Sequence, residues 1–264
     1  MATLVTFHAH PDDESIATGG TMARATAAGH RVVLVTATAG DLGEVADGFL
    51  APGETLAERR TAELKAAAEI LGVARTEILG YRDSGMVGTP ANEDPASFWQ
   101  ADLEEAAARL AAILTEEQAD VLTIYDDHGN YGHPDHVQVH RVGVRAAELA
   151  RVPRVYEATV NRDAFVRLLS QAAERGLLEI PDIDGVGADM GLPEAELTTV
   201  VDVSDYLDVK RAAMAAHASQ IGETSFFLAM PPEAFVAAFS SEWYRRRDAG
   251  GECTPGDWET DLFG

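Results

Sequence analysis

Five short apolar runs divide the first 160 residues, and helix-like stretches lie between them. Leu4 to His8, Arg31 to Ala37, Glu77 to Leu79, Asp120 to Tyr125 and Arg154 to Val160 read as buried strands. Ile16 to Ala28, Thr55 to Leu71, Trp99 to Glu117 and His136 to Leu149 read as the intervening helices, and Gly72 suits the C-cap of the second. Apolar strands alternating with helices predict a mostly parallel sheet covered on both faces, an α/β fold. In such a fold ligands bind beyond the carboxyl ends of the strands. The polar clusters of this chain fall there: His8–Ser15, Thr38–Glu44, Arg82–Gly88 and Asp126–His136, one behind each of the first four strands.

After residue 160 the pattern changes. Ala164 to Arg175 reads as a helix, Leu197 to Val203 as a strand, and Ser204 as the cap of a helix running to about Ala218. Gly176 to Val209 holds nine acidic residues and no lysine or arginine. We read residues 1–160 as the core and 161–264 as a C-terminal α+β extension packed beside the site, within one domain. Edge strands and the tail bearing Trp243, Tyr244 and Trp258 are compatible with a homo-oligomer.

Charge and length exclude several classes. A net charge of −24 repels phosphate backbones and anionic membranes, so nucleic acid is not an expected partner. No stretch is long and apolar enough to span a bilayer, and no basic leader precedes the first strand, so a cytoplasmic protein is expected. The single cysteine, Cys253, forms no internal disulfide and reads as an inert surface thiol.

Two of the clusters repeat one pattern: HPDD at residues 10–13 and HPDH at residues 133–136. In each, proline fixes the turn, and residues three apart face one point at a helix entrance. A lone copy is usually a capped helix start. Two copies at strand ends of one sheet point to a metal centre, because burying so many ionisable groups for stability alone is costly. His10, Asp13 and His136 make a two-histidine, one-carboxylate set suited to catalytic zinc, and also to ferrous iron. Asp12 is then available as a base, and His133 as an acid or an oxyanion partner. Asp135 is placed to orient His133. His8 either lines the site or is a satisfied core histidine. His128 reads as a loop residue and His140 as an exposed helix residue.

AHPDDE (Ala9–Glu14) together with GHPDH (Gly132–His136) resembles the LmbE-like, or PIG-L, N-acetylglucosaminyl deacetylases, over most of the chain. The resemblance implies a zinc enzyme on a Rossmann-like sheet that hydrolyses the acetamide of N-acetylglucosamine conjugates. It implies His10, Asp13 and His136 as metal ligands, Asp12 as general base, and His133, supported by Asp135, as the electrostatic or acid partner. YRDSGMVGT (Tyr81–Thr89), AAHASQ (Ala215–Gln220) and WETDLFG (Trp258–Gly264) resemble the mycothiol-pathway members in particular. In those members Tyr131 matches a mobile tyrosine that holds the oxyanion. Arg60 and Asp83 match substrate-contacting residues, and His217, in AAHASQ, reads as a third substrate-binding residue that reaches the pocket. Arg60 also reads as a surface ion-pair residue, and so does Arg82. Gly40–Glu54 and Leu177–Glu196 depart from that pattern. The implied substrate is therefore an amino-sugar conjugate such as N-acetylglucosaminyl-inositol. A mycothiol S-conjugate or a glycosylated natural product is the alternative within the same chemistry. A metal phosphoesterase and a non-catalytic sugar-binding module are the alternatives outside it.

Overall fold

A computed structural model describes residues 1–174, 190–247 and 256–264. Cys253 and most of the acidic stretch 177–196 lie outside the described residues. One seven-stranded sheet organises the chain, in the order β3-β2-β1-β4-β5-β7-β6. Its strands are β1 (Thr3–His8), β2 (Arg31–Thr38), β3 (Arg75–Tyr81), β4 (Val121–Tyr125), β5 (Arg154–Thr159), β6 (Thr199–Asp202) and β7 (Ser241–Arg246). The first five pair in parallel, and β7 pairs antiparallel with both β5 and β6. The chain leaves β1 toward β2 on one side and later returns to place β4 on the other. β1 and β4 therefore flank the point where the strand order reverses, which is where an open α/β sheet binds its ligand.

The helices are α1 (Asp13–Ala17), α2 (Gly19–Ala27), α3 (Leu56–Leu71), α4 (Leu103–Glu116), α5 (Gly129–Gly132), α6 (Pro134–Ala150), α7 (Arg162–Glu174), α8 (Leu207–Ala216) and α9 (Pro232–Phe239). Strand alternation divides the core between them. Val5, Phe7, Val33, Val35, Leu122 and Ile124 face α4 and α6. Leu4, Val32, Leu34 and Val121 face α2, α3 and α8. Both faces of the sheet are thus covered, as the unbroken apolar strands require.

Several boundaries differ from the sequence reading, each for a local reason. The expected helix over Ile16–Ala28 is two helices that break at Thr18, whose hydroxyl bonds back to Glu14 O. The expected start at Trp99 is a separate 3₁₀ turn (Phe98–Gln100), and α4 begins behind Asp102, which caps Glu105 N. Ser204 lies in a 3₁₀ turn (Ser204–Tyr206), and the N-cap position of α8 falls to Tyr206 instead. His140 is not exposed: its Nδ1 lies 3.0 Å from Tyr125 O. The extension also does more than pack beside the core, because β7 and β6 complete the sheet. β7 is fastened from within: Glu242 accepts from Gly20 N and Thr21 N, both at 2.8 Å, at the start of α2, and pairs with buried Lys210.

Candidate metal and catalytic site

The turn after β1 and the turn after β4 meet at the reversal point, and their histidines converge. The ring of His10 stands 4.8 Å from that of His133 and 5.6 Å from that of His136. Gly129, at φ 69, makes the second turn possible. A Cβ there would sit 2.6 Å from His136 Cβ and 2.7 Å from Val137 N. His136 is further held by stacking on Tyr125 at 4.5 Å.

Asp13 lies between the two outer histidines. One carboxylate oxygen is 3.5 Å from His10 Nδ1 and the other 3.4 Å from His136 Nε2. Burial disfavours its ionisation, yet His136 and His10 hold it well below the usual carboxylate range. The other nitrogen of His10 fixes the tautomer. Nε2 lies 3.0 Å from Asp135 Oδ2, and a carboxylate only accepts, so Nε2 carries the proton. That leaves Nδ1 turned toward Asp13, where a metal ion would take the place of its proton. Asp135 is itself fully buried and held by Ser84 N at 3.0 Å and by the Ser84 hydroxyl. A carboxylate behind a histidine is the arrangement that orients metal-ligating imidazoles.

The donor set of His10, Asp13 and His136 fits a metal ion: their ligand atoms lie within 4.8 Å of one another, two imidazoles and one carboxylate. The charge balance agrees. Burial works to lower the pKa of His10, but Asp13, Asp135 and Asp83 lift it well above its ordinary value, so the cluster favours a positive charge. A second group, His10, Asp83, His133 and Asp135, is as compact. Its members are already engaged: Asp135 with Ser84, Asp83 with Gly85 N at 2.8 Å, and His133 Nδ1 with Asp135 N at 3.1 Å.

That last bond corrects the sequence reading. The Asp135 carboxylate orients His10, and it is only the Asp135 backbone N–H that meets His133, whose side chain caps α6. With Nδ1 accepting, His133 keeps its proton on Nε2. Burial, together with neighbouring His10, lowers its pKa to about 4, so it is a neutral donor.

Asp12 is the strained residue of the site. Its φ is 108, a region costly for any residue with a Cβ, by about 1–3 kcal/mol. Its carboxylate takes one hydrogen bond, from Arg60 Nη2 at 3.2 Å. Burial raises its pKa to about 6, against the pull of Arg60. Arg60 is buried and also donates to Pro11 O at 2.5 Å and Gly40 O at 2.9 Å. Its guanidinium therefore faces the base and two loop carbonyls, and it is not a surface ion-pair residue. Asp83 is buried beside His10, 3.5 Å from Nε2. Tyr131 is 45% exposed, and its hydroxyl stands 3.3 Å from His136 Nε2. His217 is fully buried on Glu14, at 2.6 Å, and presents no surface to a substrate. Arg82 is a surface residue paired with Asp94 at 2.5 Å.

His8 is a satisfied core histidine: Nδ1 is 2.8 Å from Tyr125 Oη and Nε2 is 3.0 Å from Thr18 Oγ1. Two residues escaped the sequence reading. Ser84 holds Asp135, and Glu14 receives Asp12 N at 2.9 Å. Both lie inside motifs already noted, next to residues with more obvious chemistry.

The family model "PIG-L: GlcNAc-PI de-N-acetylase" matches residues 5–147. A curated protein of Acidothermus cellulolyticus, a 1D-myo-inositol 2-acetamido-2-deoxy-alpha-D-glucopyranoside deacetylase, is 44% identical over 259 residues, covering 92% of this chain and 88% of the relative. A protein of the same name from Thermomonospora curvata is 41% identical, covering 97% and 94%. Among solved structures, the N,N'-diacetylchitobiose deacetylase of Pyrococcus horikoshii superposes with a TM-score of 0.56 at 22% identity, over 96% of this chain and 84% of that one. A deacetylase of teicoplanin biosynthesis, solved with teicoplanin, superposes with a TM-score of 0.61 at 19% identity, over 94% and 100%. At these identities the two structures speak for the fold.

Proposed function

The chain belongs to the PIG-L family, and on that premise we propose that it is a metal-dependent deacetylase of an N-acetylglucosaminyl conjugate. The substrate carried by the relatives' names, the inositol conjugate, is the first choice. The observation that carries the reading is the meeting of Asp12, at its costly φ, with His10, Asp13 and His136 across the β1/β4 seam. Pure binding gives no reason to hold a nearly unpaired carboxylate beside a metal-type cluster.

His10, Asp13 and His136 would hold the ion, which we take to be zinc, with ferrous iron as the alternative. A bound dication supplies Lewis acidity toward the acetamide carbonyl and makes water a better acid. The chain's own groups do the rest. Asp12 takes the proton of the attacking water. His133, as a neutral Nε2–H donor, bonds the carbonyl oxygen as negative charge grows on it, and the Tyr131 hydroxyl gives a second bond. The lowered pKa of His133 supports Asp12, which has gained a proton, as the group that returns it to the leaving amine. Asp135 and Ser84 keep His10 in its working tautomer. Asp83, at the edge of the cluster, faces the sugar, and Arg60 serves by holding Asp12. A polar sugar conjugate as substrate agrees with a cytoplasmic enzyme, and no helix among the described residues is long and apolar enough to cross a membrane.

The test is acetate release from free N-acetylglucosamine, its inositol conjugate and a mycothiol S-conjugate, with metal-stripped and zinc-restored protein. Zinc-dependent release from the inositol conjugate is expected. Release from another member of the panel moves the substrate, and activity unaffected by chelation overturns the metal reading. Asp12→Asn must lose activity with its metal retained.

A further inference from the structure

We propose that His217 is a positioning residue for Asp12, acting through the buried carboxylate of Glu14; the inference rests on Asp12 being the base. The Asp12 backbone does not hold a φ of 108 unaided. Its N–H donates to Glu14 Oε2 at 2.9 Å, and its C=O accepts from Ser15 N at 3.1 Å and Ile16 N at 3.2 Å. The first of these bonds is set by a side chain, so whatever orients Glu14 orients Asp12.

Glu14 has no exposed surface, and its other oxygen has two donors. The Ser15 hydroxyl lies at 2.5 Å and His217 Nε2 at 2.6 Å. Ser15 is a sequence neighbour and moves with α1. His217 comes from the stretch behind α8, 203 residues downstream, and is the external reference. Because Glu14 Oε1 only accepts, the His217 proton is on Nε2.

The loop bearing His217 is anchored where it can serve as such a reference. Ser219 N and its hydroxyl donate to Glu63 at 2.9 and 2.6 Å. Gln220 Nε2 donates to Glu44 O at 3.0 Å. Glu63 belongs to α3, the helix whose Arg60 grips the Asp12 carboxylate. One helix thus fixes the base twice: directly at its carboxylate through Arg60, and at its peptide through Glu63, the 217–220 loop, His217 and Glu14. Without the His217 donor, the buried Glu14 carboxylate keeps only donors of its own turn, Asp12 N–H and the Ser15 hydroxyl, and loses the one bond that holds its orientation from outside α1. The Asp12 backbone then relaxes and its carboxylate swings away from the water it must deprotonate. Displacements of about 1 Å cost up to about 100-fold in rate.

The decisive comparison is H217N against H217Q on the panel substrate that is hydrolysed. The Gln amide reaches the place of Nε2, and the Asn amide falls short of Glu14. H217N is expected to lower kcat about 10- to 100-fold, with KM within about twofold and metal content unchanged, and H217Q to recover most of that loss. In D12N, which lacks the base, adding H217N should cost nothing further. If H217N does not fold, E14D carries the same test, since it draws the carboxylate back from Asp12 N–H and must lower kcat alone. A raised KM with unchanged kcat, loss of the metal, equal losses in H217N and H217Q, or full additivity with D12N each overturns the inference. A slow D12N with H217N as fast as wild type overturns it alone. A D12N enzyme with full activity removes the base reading and the inference together.

Discussion

Asp135 and His10 are joined at 3.0 Å across 125 residues of sequence, and the bond decides which nitrogen of His10 is left for a metal. Asp135→Asn keeps the volume and replaces the obligate acceptor with a group that can also donate. Metal affinity should fall about 10- to 100-fold, as for other carboxylates behind ligating histidines. A chelator competition titration reads it directly. Unchanged affinity would mean that His10 does not bind through Nδ1.

Asp12 must be ionised to act as a base. Its pKa, raised to about 6 by burial, therefore sets an acid limb in kcat/KM, below which activity falls about tenfold per pH unit. A bound dication moves that limb to lower pH, never to higher. Arg60 opposes the effect of burial, so Arg60→Met should shift the limb upward and lower the plateau. A pH–rate profile in which the limb stays in place would remove Arg60 from the account of the base.

His8 contributes to stability in its neutral, unprotonated form. Burial lowers its pKa from 6.5 to about 4 in the folded protein. Between those values the unfolded chain takes up the proton and the folded one does not, so stability falls as the pH drops through that window. At 1.36 kcal/mol per pH unit the window is worth at most about 3 kcal/mol. Urea unfolding of wild type and His8→Gln at pH 7 and pH 4.5 tests this. The wild type should lose more than the variant, and equal losses would show that His8 titrates normally.

Lys210 and Glu242 form an ion pair with at most 3% of either side chain exposed. Lys210→Met leaves a buried carboxylate with no counter-charge, and should cost about 3–5 kcal/mol in urea unfolding. Adding Glu242→Gln, which can still accept from α2, should recover part of that. A double variant less stable than the single one would contradict this.

The parts of the site that were legible in the sequence are those in which chemistry and position coincide. HPDD stands directly behind β1 and HPDH at the start of α6, in the connection that follows β4, so strand periodicity and ligand type name the same residues. The partners that orient them were not legible. Nothing in the sequence ties Asp135 to His10 rather than to neighbouring His133, because the choice depends on how α6 enters the seam. Glu14 and Ser84 were hidden beside Asp13 and Asp83. β7 was missed for a different reason. In SEWYRR the inward-facing residues include Glu242, and a charged residue in a short polar run reads as surface. Only the distant Lys210 and the N-terminus of α2 make it an interior one. His140 was misplaced because an exposed helix face and a face turned to the Tyr125 carbonyl share one periodicity.

The position of β7 governs the order in which the molecule can be finished. All the proposed metal ligands lie within residues 10–136, and the strands that carry them, β1 and β4, pair with each other. A growing chain can therefore close the seam early. The outer edge of β5 must wait, because its partner is the stretch 241–246, made more than eighty residues later. Until then β5 presents unpaired N–H and C=O groups, and an open edge of that kind invites pairing with another chain. The late strand is thus a guard as well as a structural member, and a chain cut short of it would leave the ribosome with its ligands in place and its sheet unsealed.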